Sequence, residues 1–284
     1  MRSVAINGLT FDVEAAGDPG NPMVLMLHGF PQTSHSWRYQ MRPLAEAGYF
    51  AVAPNQRGYS PRARPREIDD YATDNLIEDA MGLIDHFGHS RAHIVGHDWG
   101  GQLSWLIAAY HPDRVHTLTV LSRPHPRAFS KAFAEDARQA ERSKHHRAFQ
   151  DLDAAAGLLA NDAKRLRGLF SGQQIPAEAA AAYLEVLGSE AALDAAIHWY
   201  RAAARASAGQ PLGGQDTPDV NLPTLYIWGD ADATVGEIAA LGTAECVAGP
   251  YRFERIPGVG HFVTDEVGER VSELLLEHLT DTRE

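Results

Sequence analysis

The chain has 284 residues, 44% of them apolar, which suffices for one large α/β domain with an insertion or for two small domains around a sizeable core. Its formal charge of −12 is spread along the chain without a block of lysines or arginines, leaving little basis for a nucleic-acid or anionic-membrane partner. Cys246 stands alone, residues 1–15 lack the hydrophobic core of a signal peptide, and no run approaches the roughly 18 apolar residues of a membrane helix, so the expectation is a soluble, cytoplasmic protein.

Residues 4–6 and 9–13 flank Asn7-Gly8, a dipeptide suited to the positive backbone angles of a tight hairpin turn. Short apolar runs follow at 23–27, 50–53, 93–95 and 115–121, separated by segments of helical period at 75–87 and 102–110. Strands alternating with helices predict an α/β fold, with a mostly parallel central sheet flanked by helices. The rhythm breaks after Leu121, where Pro124 and Pro126 punctuate the chain and an Ala- and Arg-rich region runs to about Gln215 without a clear strand. Its apolar residues, among them Phe129, Phe149, Phe170 and Trp199, need a surface to bury against, and the top of the sheet supplies one. Residues 124–215 therefore read as a helical cap inserted after strand 6, between core segments 1–123 and 216–284. Strand signals resume at 224–228 and 251–256, and an amphipathic stretch at 265–279 closes the chain.

Between the run at 93–95 and the next helix lies Gly96-His97-Asp98-Trp99-Gly100-Gly101. Small residues two positions either side of a central reactive residue are what a sharp strand-to-helix turn needs, because side chains there would collide with the neighbouring strand and helix. Such a turn pushes Asp98 out at the carboxyl edge of the sheet, where open α/β sheets bind ligands. A carboxylate needs no base to act as a nucleophile, and its attack on an sp³ carbon gives an ester that water can hydrolyse, whereas attack on an ester would give an anhydride. The residue type therefore favours epoxides or alkyl halides as substrates. The competing structural reading is that Asp98 is simply the N-cap of the following helix.

The run at 23–27 leads into His28-Gly29-Phe30-Pro31, the place where a glycine loop after an early strand supplies an oxyanion donor. Phe30 and Trp99 are the candidate backbone N–H groups. Gly258-Val259-Gly260-His261-Phe262 follows the last strand signal and makes His261 the candidate general base among 14 histidines. After the preceding strand, Gly229-Asp230-Ala231-Asp232 offers two carboxylates. Asp232 is favoured as the group orienting His261, since Asp230 reads as a turn residue. The order of nucleophile, acid and histidine is the one that elbow-bearing α/β folds use. No histidine spacing suggests a zinc site, and this chemistry requires no cofactor or metal.

With these residues in view, the chain resembles the α/β-hydrolase family of epoxide hydrolases and haloalkane dehalogenases over essentially its whole length. The most specific matches are the two motifs containing Phe30 and Asp98 and, in the cap, His198-Trp199-Tyr200-Arg201. The resemblance implies that Tyr200 hangs from the cap and hydrogen-bonds the epoxide oxygen, with Trp199 beside the substrate. It also implies a second cap tyrosine near Phe149-Gln150, where this chain has His145 and His146 instead. These two are either substrate-side hydrogen-bond donors or solvated polar residues of a basic helix. The expected reaction is hydrolysis of a small apolar epoxide to a vicinal diol through an Asp98 ester. The alternatives are dehalogenation of a haloalkane or haloacid at the same nucleophile and a non-catalytic, ligand-binding member of the fold.

Overall fold

The computed structural model describes residues 1–172, 174–206, 214 and 216–281. Eight strands form one sheet: β1 (Arg2–Ile6), β2 (Leu9–Ala16), β3 (Met23–Leu27), β4 (Phe50–Pro54), β5 (Ala92–His97), β6 (Val115–Leu121), β7 (Thr224–Gly229) and β8 (Tyr251–Ile256). Their order is β1-β2-β4-β3-β5-β6-β7-β8, parallel from β4 onward and antiparallel where β2 meets β1 and β4. At the first turn Asn7 and Gly8 have φ of 49° and 74°, as a two-residue hairpin requires.

The central strands β3 and β5 are buried at every position because helices cover both faces of the sheet. On one face Val24, Met26, Val95 and Ile227 pack with Leu44 of α1 (Arg38–Glu46) and with Leu274, Leu275 and Leu279 of α12 (Gly268–Asp281). Leu25, Leu27, Ile94 and Val120 face the other way, against Leu83 and Ile84 of α2 (Thr73–His86) and Leu103 and Ile107 of α3 (Trp99–Tyr110). Each fully buried leucine contributes about 1.5–3 kcal/mol of transfer free energy, so these two layers make the sheet the rigid part of the molecule.

Six helices stand between β6 and β7 among the described residues: α4 (Pro126–Glu135), α5 (Ala137–Arg142), α6 (His145–Ala148), α7 (Ala154–Ser171), α8 (Ala177–Leu187) and α9 (Glu190–Ala206). The expected end of the insertion at Gln215 lies outside the described residues. Their apolar faces, including Phe129, Phe149, Leu166, Phe170 and Trp199, are buried in the same cluster as the elbow helix, which explains the insertion's apolar content.

Two local expectations are corrected. The C-terminal amphipathic stretch is two helices, α11 (Val263–Glu266) and α12, divided where Val267 leaves the helical region at φ −139°. Gly268 then packs so closely on Tyr39 that a Cβ would lie 2.2 Å from its ring. Helix α1 had no sequence signal because it carries Pro43 and buries only Gln40 and Leu44.

Candidate active site

Asp98 joins β5 to α3 at φ 51° and ψ −114°, a conformation unfavourable for a residue with a side chain. The surrounding glycines make it possible. A Cβ on Gly100 would lie 2.0 Å from the Leu27 carbonyl oxygen, one on Gly96 2.3 Å from the Gly100 oxygen, and one on Gly29 2.4 Å from the Asp98 Cβ. Asp98 stands at the N-cap of α3 by position, but its side chain makes no hydrogen bond to that turn. Oδ1 instead accepts the Phe30 N–H at 3.0 Å, drawing the loop after β3 onto the elbow.

That loop is braced from behind by His28. The ring nitrogen Nδ1 lies 3.0 Å from the Gly29 carbonyl and Nε2 accepts the Gln56 N–H at 3.2 Å, while the Gln56 side chain donates to the His28 carbonyl at 2.6 Å. Both ring nitrogens are thus satisfied by a neutral imidazole, and burial lowers its pKa to about 4. Trp99, the second expected oxyanion donor, opens α3, where backbone N–H groups have no acceptor inside the helix.

His261 and Asp232 converge on the same point. Nδ1 of His261 is 2.8 Å from Asp232 Oδ2, and Nε2 is 3.5 Å from Asp98 Oδ2. The other Asp232 oxygen accepts Thr234 N–H and Oγ1–H at 2.7 Å each and Val235 N–H at 3.0 Å, which fixes the carboxylate. Asp230, the rejected alternative, sits at the surface, bonded to the Gly258 N–H at 2.7 Å and paired with Arg255. Burial disfavours the charged imidazole, but the charges and hydrogen bonds of Asp232 and Asp98 outweigh it and raise the His261 pKa to about 10. Burial likewise opposes ionisation of both carboxylates, and the imidazolium overrides it and holds each below its ordinary value. At neutral pH the three groups form an anion–cation–anion chain.

Tyr200 of α9 faces this chain through a ring of aromatic groups. Ring centroids lie 4.8 Å away for Phe149, 4.9 Å for Trp99, 5.2 Å for His146, 5.5 Å for Phe30 and 5.9 Å for His145. Burial, with Asp98 adding to it, raises the phenol pKa well above 10, so the hydroxyl keeps its proton. His145 and His146 are half-buried against Tyr200, and His146 also lies 6.5 Å from the Trp99 ring, so neither is a solvated residue of a basic helix. Burial lowers the pKa of His145 to about 4; its Nδ1 sits 3.3 Å from the Arg142 carbonyl and carries the proton there. Trp199 points aside: Nε1 donates to the Arg57 carbonyl at 2.8 Å and the ring packs edge-on to Trp99.

Several contributing residues went unread in the sequence. The His261 carbonyl accepts from Ser122 Oγ at 2.7 Å and lies 2.8 Å from His97 Nε2, so the ends of β5 and β6 hold the histidine loop. Asp265 of α11 gathers Gln32 Nε2 at 2.7 Å, Arg38 Nη1 at 2.6 Å and the hydroxyl of Tyr183 of α8 at 2.8 Å. Tyr183, the other cap tyrosine, therefore braces the insertion on the core. Arg123, just past β6, is buried beside the elbow; an arginine at a strand's carboxyl end before Pro124 was a signal available to be read. Among the described residues no cluster of three or more His, Cys, Asp or Glu side chains could hold a metal ion, and no helix is long and apolar enough to cross a membrane.

Residues 22–266 match the family model described as the alpha/beta hydrolase fold. The chain is 34% identical to Epoxide hydrolase A of Mycobacterium tuberculosis, covering 98% of this chain and 97% of that protein. It is 33% identical to human Epoxide hydrolase 4 over 95% of this chain and 75% of that protein. Among solved structures it is similar to Epoxide Hydrolase A from Mycobacterium thermoresistibile, with a TM-score of 0.83, 28% identity, and 98% and 97% of the two chains covered. The elbow, the mostly parallel sheet and these similarities together mean that the chain belongs to the α/β-hydrolase family, in its epoxide-hydrolase-like branch.

Proposed function

We propose that the protein is an epoxide hydrolase acting through a covalent alkyl ester on Asp98. The observation that carries the reading is a carboxylate at the elbow, with the Phe30 N–H 3.0 Å from one oxygen and His261 3.5 Å from the other, facing a protonated phenol. Asp98 Oδ2 attacks one oxirane carbon, the carbon–oxygen bond breaks, and the Tyr200 proton passes to the departing oxygen. The imidazolium of His261 then returns a proton to Tyr200 and becomes a neutral base, oriented by Asp232. Water attacks the Asp98 carbonyl carbon, giving one proton to His261, while the Phe30 and Trp99 amides hold the oxyanion. Collapse expels the diol, which takes the second water proton, and leaves Asp98 as a carboxylate and His261 charged again.

In this reading residues 1–123 and 216–284 are the hydrolase core, residues 124–215 are the cap, and the aromatic groups around Tyr200 receive the apolar body of a small epoxide. His145, neutral with its proton on Nδ1, offers Nε2 as an acceptor, so His146 is the group that can add a second donor beside Tyr200. The commitment of the Trp199 N–H to Arg57 removes the second indole that a halide-binding site would use, which favours the epoxide over the haloalkane.

The test is His261→Gln mixed with styrene oxide, aliphatic and fused-ring epoxides, and haloalkanes, read by intact mass and peptide mapping. A stable adduct on the Asp98 peptide with an epoxide is expected. No adduct with any of them would remove the nucleophile assignment, and wild-type protein that releases halide from the haloalkanes but forms no diol from the epoxides would reverse the order of the two reactions. Tyr200→Phe should slow ester formation; unchanged epoxide turnover would remove its role.

A further inference from the structure

Arg123 follows the end of β6 and Ser122, and its Cβ would lie 2.9 Å from a Cβ on Gly101 of the elbow. The residue is 6% exposed. Its Nε donates to Gln102 Oε1 at 3.0 Å, and the guanidinium lies 3.9 Å from the centre of the Phe129 ring of α4. No carboxylate among the described residues forms an ion pair with it, and Nη2 is buried without a hydrogen-bond partner. An arginine does not give up its charge, so a buried guanidinium without an ion-pair partner is expensive to keep.

The group belongs electrically to the catalytic chamber. Burial lowers the Arg123 pKa against the opposing pull of Asp98 and Tyr200, and burial together with Arg123 depresses both His145 and His146. Gln102 occupies Nε and Phe129 one face of the guanidinium, while on the remaining edge, which carries Nη1 and Nη2, Nη2 has no hydrogen-bond partner. That edge is the fork that matches a carboxylate in two parallel hydrogen bonds.

We propose that Arg123 recognises a carboxylate on the substrate, so that the physiological epoxide is an epoxy acid whose oxirane meets Asp98 and Tyr200 while its acid group sits on the Nη1/Nη2 edge. This rests on the epoxide-hydrolase reading and adds the substrate class to it. Without the arginine, a second carboxylate would be repelled by Asp98 and Asp232. With it, a neutral substrate leaves the guanidinium dehydrated and unpaired, so selectivity for the acid follows from the cost of an unsatisfied buried charge.

The experiment compares terminal epoxides bearing a carboxylate on linkers of one to four methylenes with their methyl esters and primary amides, measuring kcat/KM for wild type, Arg123→Met and Arg123→Lys. One acid should exceed its ester by about 10- to 100-fold, the worth of a charge-assisted hydrogen bond. Arg123→Met should abolish that ratio and Arg123→Lys should retain part of it. Calorimetry with benzoate and phenylacetate gives a readout independent of turnover, with binding to wild type and none to Arg123→Met. An Arg123→Met variant that lowers acid and ester alike marks a structural prop and overturns the proposal, as does turnover of neutral epoxides with no preference for acids. If no epoxide of any kind reacts yet the carboxylates bind through Arg123, the epoxide reading falls and the acid site stands.

Discussion

Replacing Asp98 by Asn imitates the charge lost when the nucleophile is esterified, and it should move the His261 titration by a large, calculable amount. Nε2 and Asp98 Oδ2 are 3.5 Å apart. At an effective dielectric constant of about 20, opposite unit charges at that separation attract by about 5 kcal/mol, equivalent to about three and a half pH units on a titration midpoint. Asn preserves the Oδ1 that accepts the Phe30 N–H, so the elbow geometry should survive. The midpoint should therefore fall from about 10 in the wild type to about 6.5 in Asp98→Asn, with Asp232 still in place. Protein carrying ¹³C-labelled histidine, titrated by NMR with His261→Gln to identify the signal among 14 histidines, measures both values directly. A wild-type midpoint near 6.5, or a variant that titrates with the wild type, would refute the idea that esterification itself turns His261 from a resting cation into a base.

Folding stability carries the same proton. Because folded His261 holds its proton to about pH 10 and the unfolded ring only to about 6.5, the contribution is full below about pH 6.5, declines through the interval and is lost above about pH 10; urea midpoints should fall across that window and flatten in Asp232→Asn. Gly100→Ala places a methyl 2.0 Å from the Leu27 carbonyl, so it should cost several kcal/mol and give little folded protein; a near-native melting temperature would contradict the close approach at the elbow. Tyr183→Phe removes a buried hydroxyl from Asp265 and should cost about 1–3 kcal/mol, with faster amide exchange concentrated in the cap. A single turnover in ¹⁸O water should label the Asp98 carboxylate and leave the diol unlabelled; label in the diol instead would mean that water attacks the epoxide directly.

The parts of the fold legible in the sequence were those with a period or a steric necessity. The apolar run at 23–27 coincides with β3, unbroken because helices cover both its faces, and that at 115–121 with β6, whose exposed His116 and two threonines still leave Leu118, Val120 and Leu121 as its signal. Glycines flanking Asp98 were readable because no other residue fits there. Helix α1 escaped because its burial is confined to two side chains and a proline interrupts it. In the site, Asp98, His261 and Asp232 were legible from their order along strand ends. His145 and His146 were legible as candidates from their place before Phe149-Gln150, but not their packing on Tyr200, more than fifty residues further along the chain. Ser122, Thr234 and Arg123 act through contacts that only the folded sheet edge creates.

The Asp265 carboxylate ties three separate stretches of chain together: the loop that carries Phe30, through Gln32, the start of α1, through Arg38, and α8, through Tyr183. It lies four residues beyond His261, on the helix that follows the histidine loop. The loop bearing Phe30, the start of α1 and the helix after His261 therefore share one buried anchor with α8 of the insertion.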